Sequence, residues 1–199
     1  WEWFQFYNLD CNSLPPGRIY QTWDTAHTVK ETSDYSVGIT FLQADRHIYV
    51  LDVFRKRMLF PELKAKVIEL AYEFGAFKII IEGTNAGIDL REMIFHETHL
   101  PIYYYKPVND KVARITPYTV LIEDGKVLLP KNAPWLPEFQ REMVLFPKGK
   151  HDDQVDALQL MLRHVARFYL KRSSRPDSTH NVGSTPRFSA NDVFTMPIQ

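Results

Sequence analysis

The 199 residues carry 24 Lys and Arg against 24 Asp and Glu, a formal net charge of zero, so any surface for a polyanion must be local rather than global. Hydrophobic residues make up 45% and aromatic residues 14%, which excludes a disordered polypeptide and suits one domain with appendages. The single cysteine, Cys11, excludes an internal disulfide framework and a cysteine-built zinc site. The apolar runs are too short for a membrane span and no signal peptide is visible, so an intracellular, soluble protein is expected.

The chain opens at Trp1, not Met, with an aromatic-rich stretch closed by Pro15-Pro16-Gly17. Residues 1–17 read as a linker or docking strap of a fragment from something longer. Residues 19–24 predict a first strand, and 35–42 and 47–54 predict two more that alternate as an antiparallel meander should. Leu63, Val67, Leu70, Ala71 and Phe74 recur at helical spacing behind Pro61. Lys78-Ile79-Ile80-Ile81-Glu82 is apolar between its ends, as a central parallel strand is. A helix over 90–98 and a strand over 102–105 follow. Residues 111–121 suggest a helix interrupted at Pro117, 125–130 a short strand, and 134–145 a helix with Leu136, Phe139, Met143 and Val144 inward. The strongest helix runs over 152–170, with Val155, Leu158, Leu162, Val165 and Tyr169 on one stripe and basic residues toward its C-terminus. Residues 173–199 form a Ser/Thr/Pro-rich tail. The order β-β-β-α-β-α-β, then helices, is that of an α/β ribonuclease H-like fold, three antiparallel strands feeding a parallel continuation.

Three acidic clusters fall at element boundaries. Asp24 ends the first strand and Asp34 precedes the second; either could be a turn residue by itself. Glu82 ends the isoleucine strand and leads into Gly83-Thr84-Asn85-Ala86-Gly87, read as a tight turn with room for a backbone or phosphate. In His151-Asp152-Asp153-Gln154-Val155-Asp156-Ala157, Asp153 and Asp156 share a helix face at its first turn. One of Asp152 and Asp153 can cap that helix, and His151 reads as a supporting residue beside the site. Carboxylates gathered at strand ends repel one another, and an oxygen-seeking divalent cation, Mg²⁺ or Mn²⁺, relieves that repulsion. Two such ions suit phosphodiester hydrolysis.

The sequence resembles the nuclease domain of the large terminase subunit of tailed bacteriophages over about residues 1–170. The resemblance rests on Thr22-Trp23-Asp24-Thr25-Ala26 with Asp34-Tyr35-Ser36, and on Ile79-Ile80-Ile81-Glu82-Gly83-Thr84-Asn85-Ala86-Gly87. It also rests on Lys111-Val112-Ala113-Arg114-Ile115 before Gly125-Lys126-Val127, and on His151-Asp152-Asp153-Gln154-Val155-Asp156-Ala157-Leu158, the most distinctive of the four. It implies that Asp24, Glu82 and Asp153 form an acidic triad for two divalent cations, with Asp156 and Asp34 in support. It also implies an ATPase domain ahead of this one. No Gly-x-x-x-x-Gly-Lys-Ser/Thr run occurs, so ATP hydrolysis by this chain is not expected.

Duplex DNA steered past an acidic centre needs cations. Lys106, Lys111, Arg114, Lys126, Lys131, Lys148 and Lys150 stand between the second and third acidic motifs, Lys111 and Arg114 matching the family pattern. No base-reading motif is present, so cutting is expected to be largely sequence-independent. The resemblance further implies the small terminase subunit and the capsid portal as partners and the bacterial host cytoplasm as location; Phe188, Val193, Phe194, Met196 and Ile198 let the tail be read as a docking segment for such a partner or as an inert tail. Competing readings are a Holliday-junction resolvase or transposase of the same fold, and a non-catalytic DNA clamp.

Overall fold

The computed structural model describes residues 1–8, 14–25, 35–106 and 116–173. Seven strands make one mixed sheet: β1 (Gln5–Tyr7), β2 (Arg18–Asp24), β3 (Ser36–Ala44), β4 (His47–Lys56), β5 (Lys78–Glu82), β6 (Ile102–Tyr105) and β7 (Val127–Pro130), in the order β1-β7-β4-β3-β2-β5-β6. β2, β3 and β4 pair antiparallel. β5 and β6 continue parallel from β2. This is the ribonuclease H-like layout expected from the sequence.

One departure lies at the far edge. Gln5–Tyr7, within the stretch expected to be a strap, is a strand parallel to β7. Phe4 is buried in the core beneath it, and the Tyr7 hydroxyl donates to the Val50 carbonyl at 2.8 Å. Three residues are too short for periodicity to betray a strand; pairing with β7 creates it.

Alternation along the strands divides the core between the two faces. On one face Tyr20, Val37, Ile39, Phe41 and Ile80 pack with Leu158, Met161, Leu162 and Val165 of a long helix. On the other Trp23, Ile79 and Ile81 meet Leu63, Val67, Leu90 and Ile94. The helices are α1 (Phe60–Glu73), α2 (Asn85–Glu97), α3 (Val120–Glu123), α4 (Leu136–Leu145) and α5 (Asp153–Ser173). A Cβ at Gly38 would stand 2.7 Å from the Trp23 ring, so the indole occupies the space a side chain would take on the paired strand.

Two local readings need correction. The 83–87 stretch is a helix start rather than a turn with room for a phosphate: α2 starts at Asn85, and the Thr84 hydroxyl caps it by accepting from Gly87 N at 3.3 Å. A Cβ on Gly87 would lie 2.0 Å from the Glu82 carbonyl, so the room its glycine provides is filled by the protein's own backbone. On α4, Val144 is 60% exposed, and the inward position goes to Glu142, 4% exposed. The helix suggested over 111–121 lies partly outside the described residues; from Thr116 the chain makes a 3₁₀ turn and then α3.

Candidate active site

The site is built at one end of the sheet. β2 and β5 run parallel with Trp23 beside Ile81, so Asp24 and Glu82, one residue further along each strand, finish side by side. Counting from Tyr20 and Ile80, which face α5, alternation directs Asp24 and Glu82 to the same face.

α5 crosses that face antiparallel to β2. His164 packs on Tyr20 with ring centroids 5.0 Å apart, while Thr22 Oγ1 donates to the Ala157 carbonyl at 3.2 Å. Asp153 precedes Ala157 by four helical residues, about 6 Å. Asp24 follows Thr22 by two strand residues, about 6.6 Å. Both steps lead toward the same end of the molecule, so the start of α5 arrives at the level of Asp24. Asp153 is 4% exposed, and Asp156 follows one turn later on the same side.

Supporting residues surround this helix start. The Asp152 carbonyl accepts from Asp156 N at 2.9 Å, opening α5. His151 Nδ1 lies 3.8 Å from Asp153 Oδ2, and its ring meets Tyr35 edge-on at 5.3 Å. Buried Glu142 and Gln154 and half-buried Arg55, which sequence reasoning did not single out, form a polar knot beside them. The two Glu142 carboxylate oxygens accept from Gln154 N at 2.6 Å and Gln154 Nε2 at 2.7 Å. Arg55 Nε stands 3.5 Å from the same carboxylate. A glutamate on a helix otherwise read as amphipathic gives no sequence signal of burial.

On the other flank, the Tyr105 hydroxyl and His164 Nδ1 are 2.8 Å apart. Burial, then the positive Lys78 and Arg167, pull the His164 pKa down to about 4. Its imidazole is neutral at physiological pH, with Nδ1 able to accept from the tyrosine. Arg163 and Arg167 stack over Tyr105, and Arg163 Nη1 donates to the Lys106 carbonyl at 2.9 Å.

Among the described residues no group of three or more His, Cys, Asp and Glu side chains is close enough to hold a metal ion. Asp24, Glu82, Asp153 and Asp156 each engage other groups of the fold. The backbone thus brings Asp24, Glu82 and Asp153 to one end of one face without closing their side chains into a cluster. Their donor chemistry, carboxylate oxygen throughout, fits a hard divalent cation. Asp34, Lys111 and Arg114 lie outside the described residues.

Lys126 is not brought to this end. It precedes β7, which enters the sheet beside Ile48 at the start of β4, and its carbonyl accepts from Ile48 N. The carboxylates lie toward the other end, where Val37 pairs with both Asp24 and Arg55. Seven strand residues, about 23 Å, separate the two ends. Lys148 and Lys150, by contrast, are exposed in the connection that leads into α5.

Solved structures with the same fold include the large terminase from a thermophilic bacteriophage, 11% identical at a TM-score of 0.63 over 81% of this chain and 43% of that one. The magnesium-bound large terminase nuclease from thermophilic phage G20c is 16% identical at a TM-score of 0.58, over 81% of this chain and 93% of that one. The human cytomegalovirus terminase nuclease domain, manganese-soaked with an inhibitor bound, is 13% identical at a TM-score of 0.55, over 81% and 89%. This chain thus spans less than half the length of the first of these proteins. No curated protein matches it in sequence. The terminase RNaseH-like domain family matches residues 21–164, from β2 through most of α5 and across all three acidic motifs, and the chain belongs to that family.

Proposed function

We propose that this chain is the metal-dependent endonuclease domain of a phage DNA-packaging motor, cutting duplex DNA of a concatemeric viral genome with little sequence preference. The observation that supports this most is the meeting of Asp24 and Glu82 at adjacent strand ends with the start of α5 at the same level. Asp24, Glu82 and Asp153 would hold two divalent cations, Mg²⁺ or Mn²⁺, with Asp156 and Asp34 in support. When bound, such ions supply the Lewis acidity for attack by water and for departure of the 3′-oxygen.

The chain's own contribution is placement. Strand ends inside a seven-stranded sheet hold Asp24 and Glu82 on a rigid floor, and the Thr22–Ala157 hydrogen bond ties the helix bearing Asp153 to it. DNA phosphates would be drawn to this acidic floor by the flanking cations Lys106, Lys148 and Lys150, together with Lys111 and Arg114. An ATPase domain, the small terminase subunit and the portal are the partners this reading carries.

Nicking of supercoiled plasmid in the presence of Mg²⁺ or Mn²⁺, with a chelator control and a four-way junction as competitor substrate, tests it. Divalent-dependent cutting of plain duplex is expected. Preference for the junction would favour the resolvase reading, and no cutting with either ion would sink the proposal.

A further inference from the structure

Glu142 is a charged side chain buried where an apolar one would pack, on the last turn of α4. Its carboxylate receives Gln154 twice, through the backbone N–H at 2.6 Å and the side-chain amide at 2.7 Å. The first of these bonds holds the Asp153–Gln154 peptide itself, because that amide nitrogen is bonded to the Asp153 carbonyl carbon. A free helix start leaves its first N–H groups without intrahelical acceptors, and here an acid from another helix supplies one. Arg55 completes the arrangement from β4: its Nε lies 3.5 Å from Glu142, its Nη1 lies 3.7 Å from Glu138, and its Cζ lies over the Tyr35 ring, 3.5 Å from the centroid. Three elements, β4, α4 and α5, are therefore joined at one point, a single peptide away from Asp153.

As a device for stability alone this is poor. Burying a carboxylate with a guanidinium roughly cancels its own electrostatic gain, and an apolar side chain of similar volume would serve as well. Asp152 already opens α5 through its carbonyl. What Glu142 adds is a fixed position for the first turn.

We propose that Glu142 is a positioning residue for Asp153: held by Arg55, it caps α5 from outside the helix and sets where the Asp153 carboxylate stands relative to Asp24 and Glu82. This rests on the metal-binding reading given above. Outer residues that orient ligands influence metal affinity by about 10–100-fold when removed.

Mn²⁺ titration of the full chain by calorimetry, alongside amide hydrogen exchange of the α5 first turn, tests it. Glu142→Ala is expected to weaken Mn²⁺ binding about tenfold or more and to speed exchange at the Gln154 amide. Glu142→Gln, which keeps one acceptor, should lose less of both. Phe139→Leu, a change on the same helix that only loosens packing, should lower the melting temperature while leaving Mn²⁺ affinity and Gln154 exchange as they are. If Glu142→Ala does not fold, Glu142→Gln carries the test, and unaltered affinity and exchange in that variant overturn the proposal. An affinity unchanged in Glu142→Ala, or lost equally in Phe139→Leu, overturns the positioning role while the metal site stands. Failure of the unsubstituted chain to bind Mn²⁺ overturns the metal reading and this inference together.

Discussion

Asp24, Glu82 and Asp153 hold their positions through backbone that does not depend on their charge: two are strand ends and one opens a helix. Replacing any one with Ala should therefore leave the circular dichroism spectrum unchanged. The apo melting temperature should hold or rise, because a repulsive neighbour is removed. Divalent-dependent plasmid cleavage should fall by more than the roughly 100-fold upper end seen for outer-shell changes. Asp156→Ala and Asp34→Ala should cost less, and full activity in one of the three principal variants would remove that residue from the set. His164 makes a separate prediction, on stability. Its folded pKa is lowered to about 4 from 6.5, so the unfolded chain binds the extra proton first as pH falls. The stability it contributes is whole above pH 6.5 and is lost progressively toward pH 4. Denaturant melts across that range should show the loss, and His164→Gln should flatten it.

At the scale of elements, the turn from β5 into α2 is where sequence change should be least tolerated. The Glu82 carbonyl and the first turn of α2 approach so closely that a methyl at Gly87 cannot fit without moving one of them. Gly87→Ala should lower both the melting temperature and cleavage, since the strand end bearing Glu82 must shift. Thr84→Ala removes only the cap and should cost about 1 kcal/mol with cleavage kept, as caps usually do. Equal loss of activity in the two variants would mean that α2 formation, rather than the approach to Glu82, governs the site. α5 shows the same principle from the other side. Its apolar stripe fixes which face meets the sheet, and the Thr22 bond and Glu142 fix how far along the sheet it sits.

The whole molecule has no net charge, so attraction for DNA depends on which end of the sheet carries the cations. Lys148→Ala with Lys150→Ala should weaken plasmid cleavage and flatten its salt dependence, as lost phosphate contacts do. Lys126→Ala, at the opposite end of β4, should change neither; a loss there equal to that of the double variant would show that DNA runs along the sheet rather than across its end. Cation binding should also register globally. An ion that binds only the folded state stabilises it by mass action, about 2.7 kcal/mol at a concentration roughly 100 times its dissociation constant. Millimolar Mn²⁺ should raise the melting temperature of the unsubstituted chain and fail to do so in the Asp24, Glu82 and Asp153 variants. An unshifted melting temperature would, like a failed Mn²⁺ titration, overturn the metal reading. Among the described residues no helix is long and apolar enough to cross a membrane.

What the sequence determined by itself is what local periodicity and punctuation encode. Ile79, Ile80 and Ile81 read as a strand covered on both faces, and the stripe from Val155 to Val165 as a helix with one buried face. With the β-β-β-α-β-α-β order these give the fold, and the three acidic motifs give the residues worth testing. Tertiary structure alone decided what depends on pairs distant in the chain. Gln5–Tyr7 is a strand only because β7 lies beside it. Lys126 is carried away from the carboxylates only because β7 runs parallel to β4. Glu142 is buried only because Arg55 and Gln154, 87 and 12 residues away in sequence, converge on it. A charge pattern along one helix cannot show that, because the free energy that holds a carboxylate inside comes from partners on other elements.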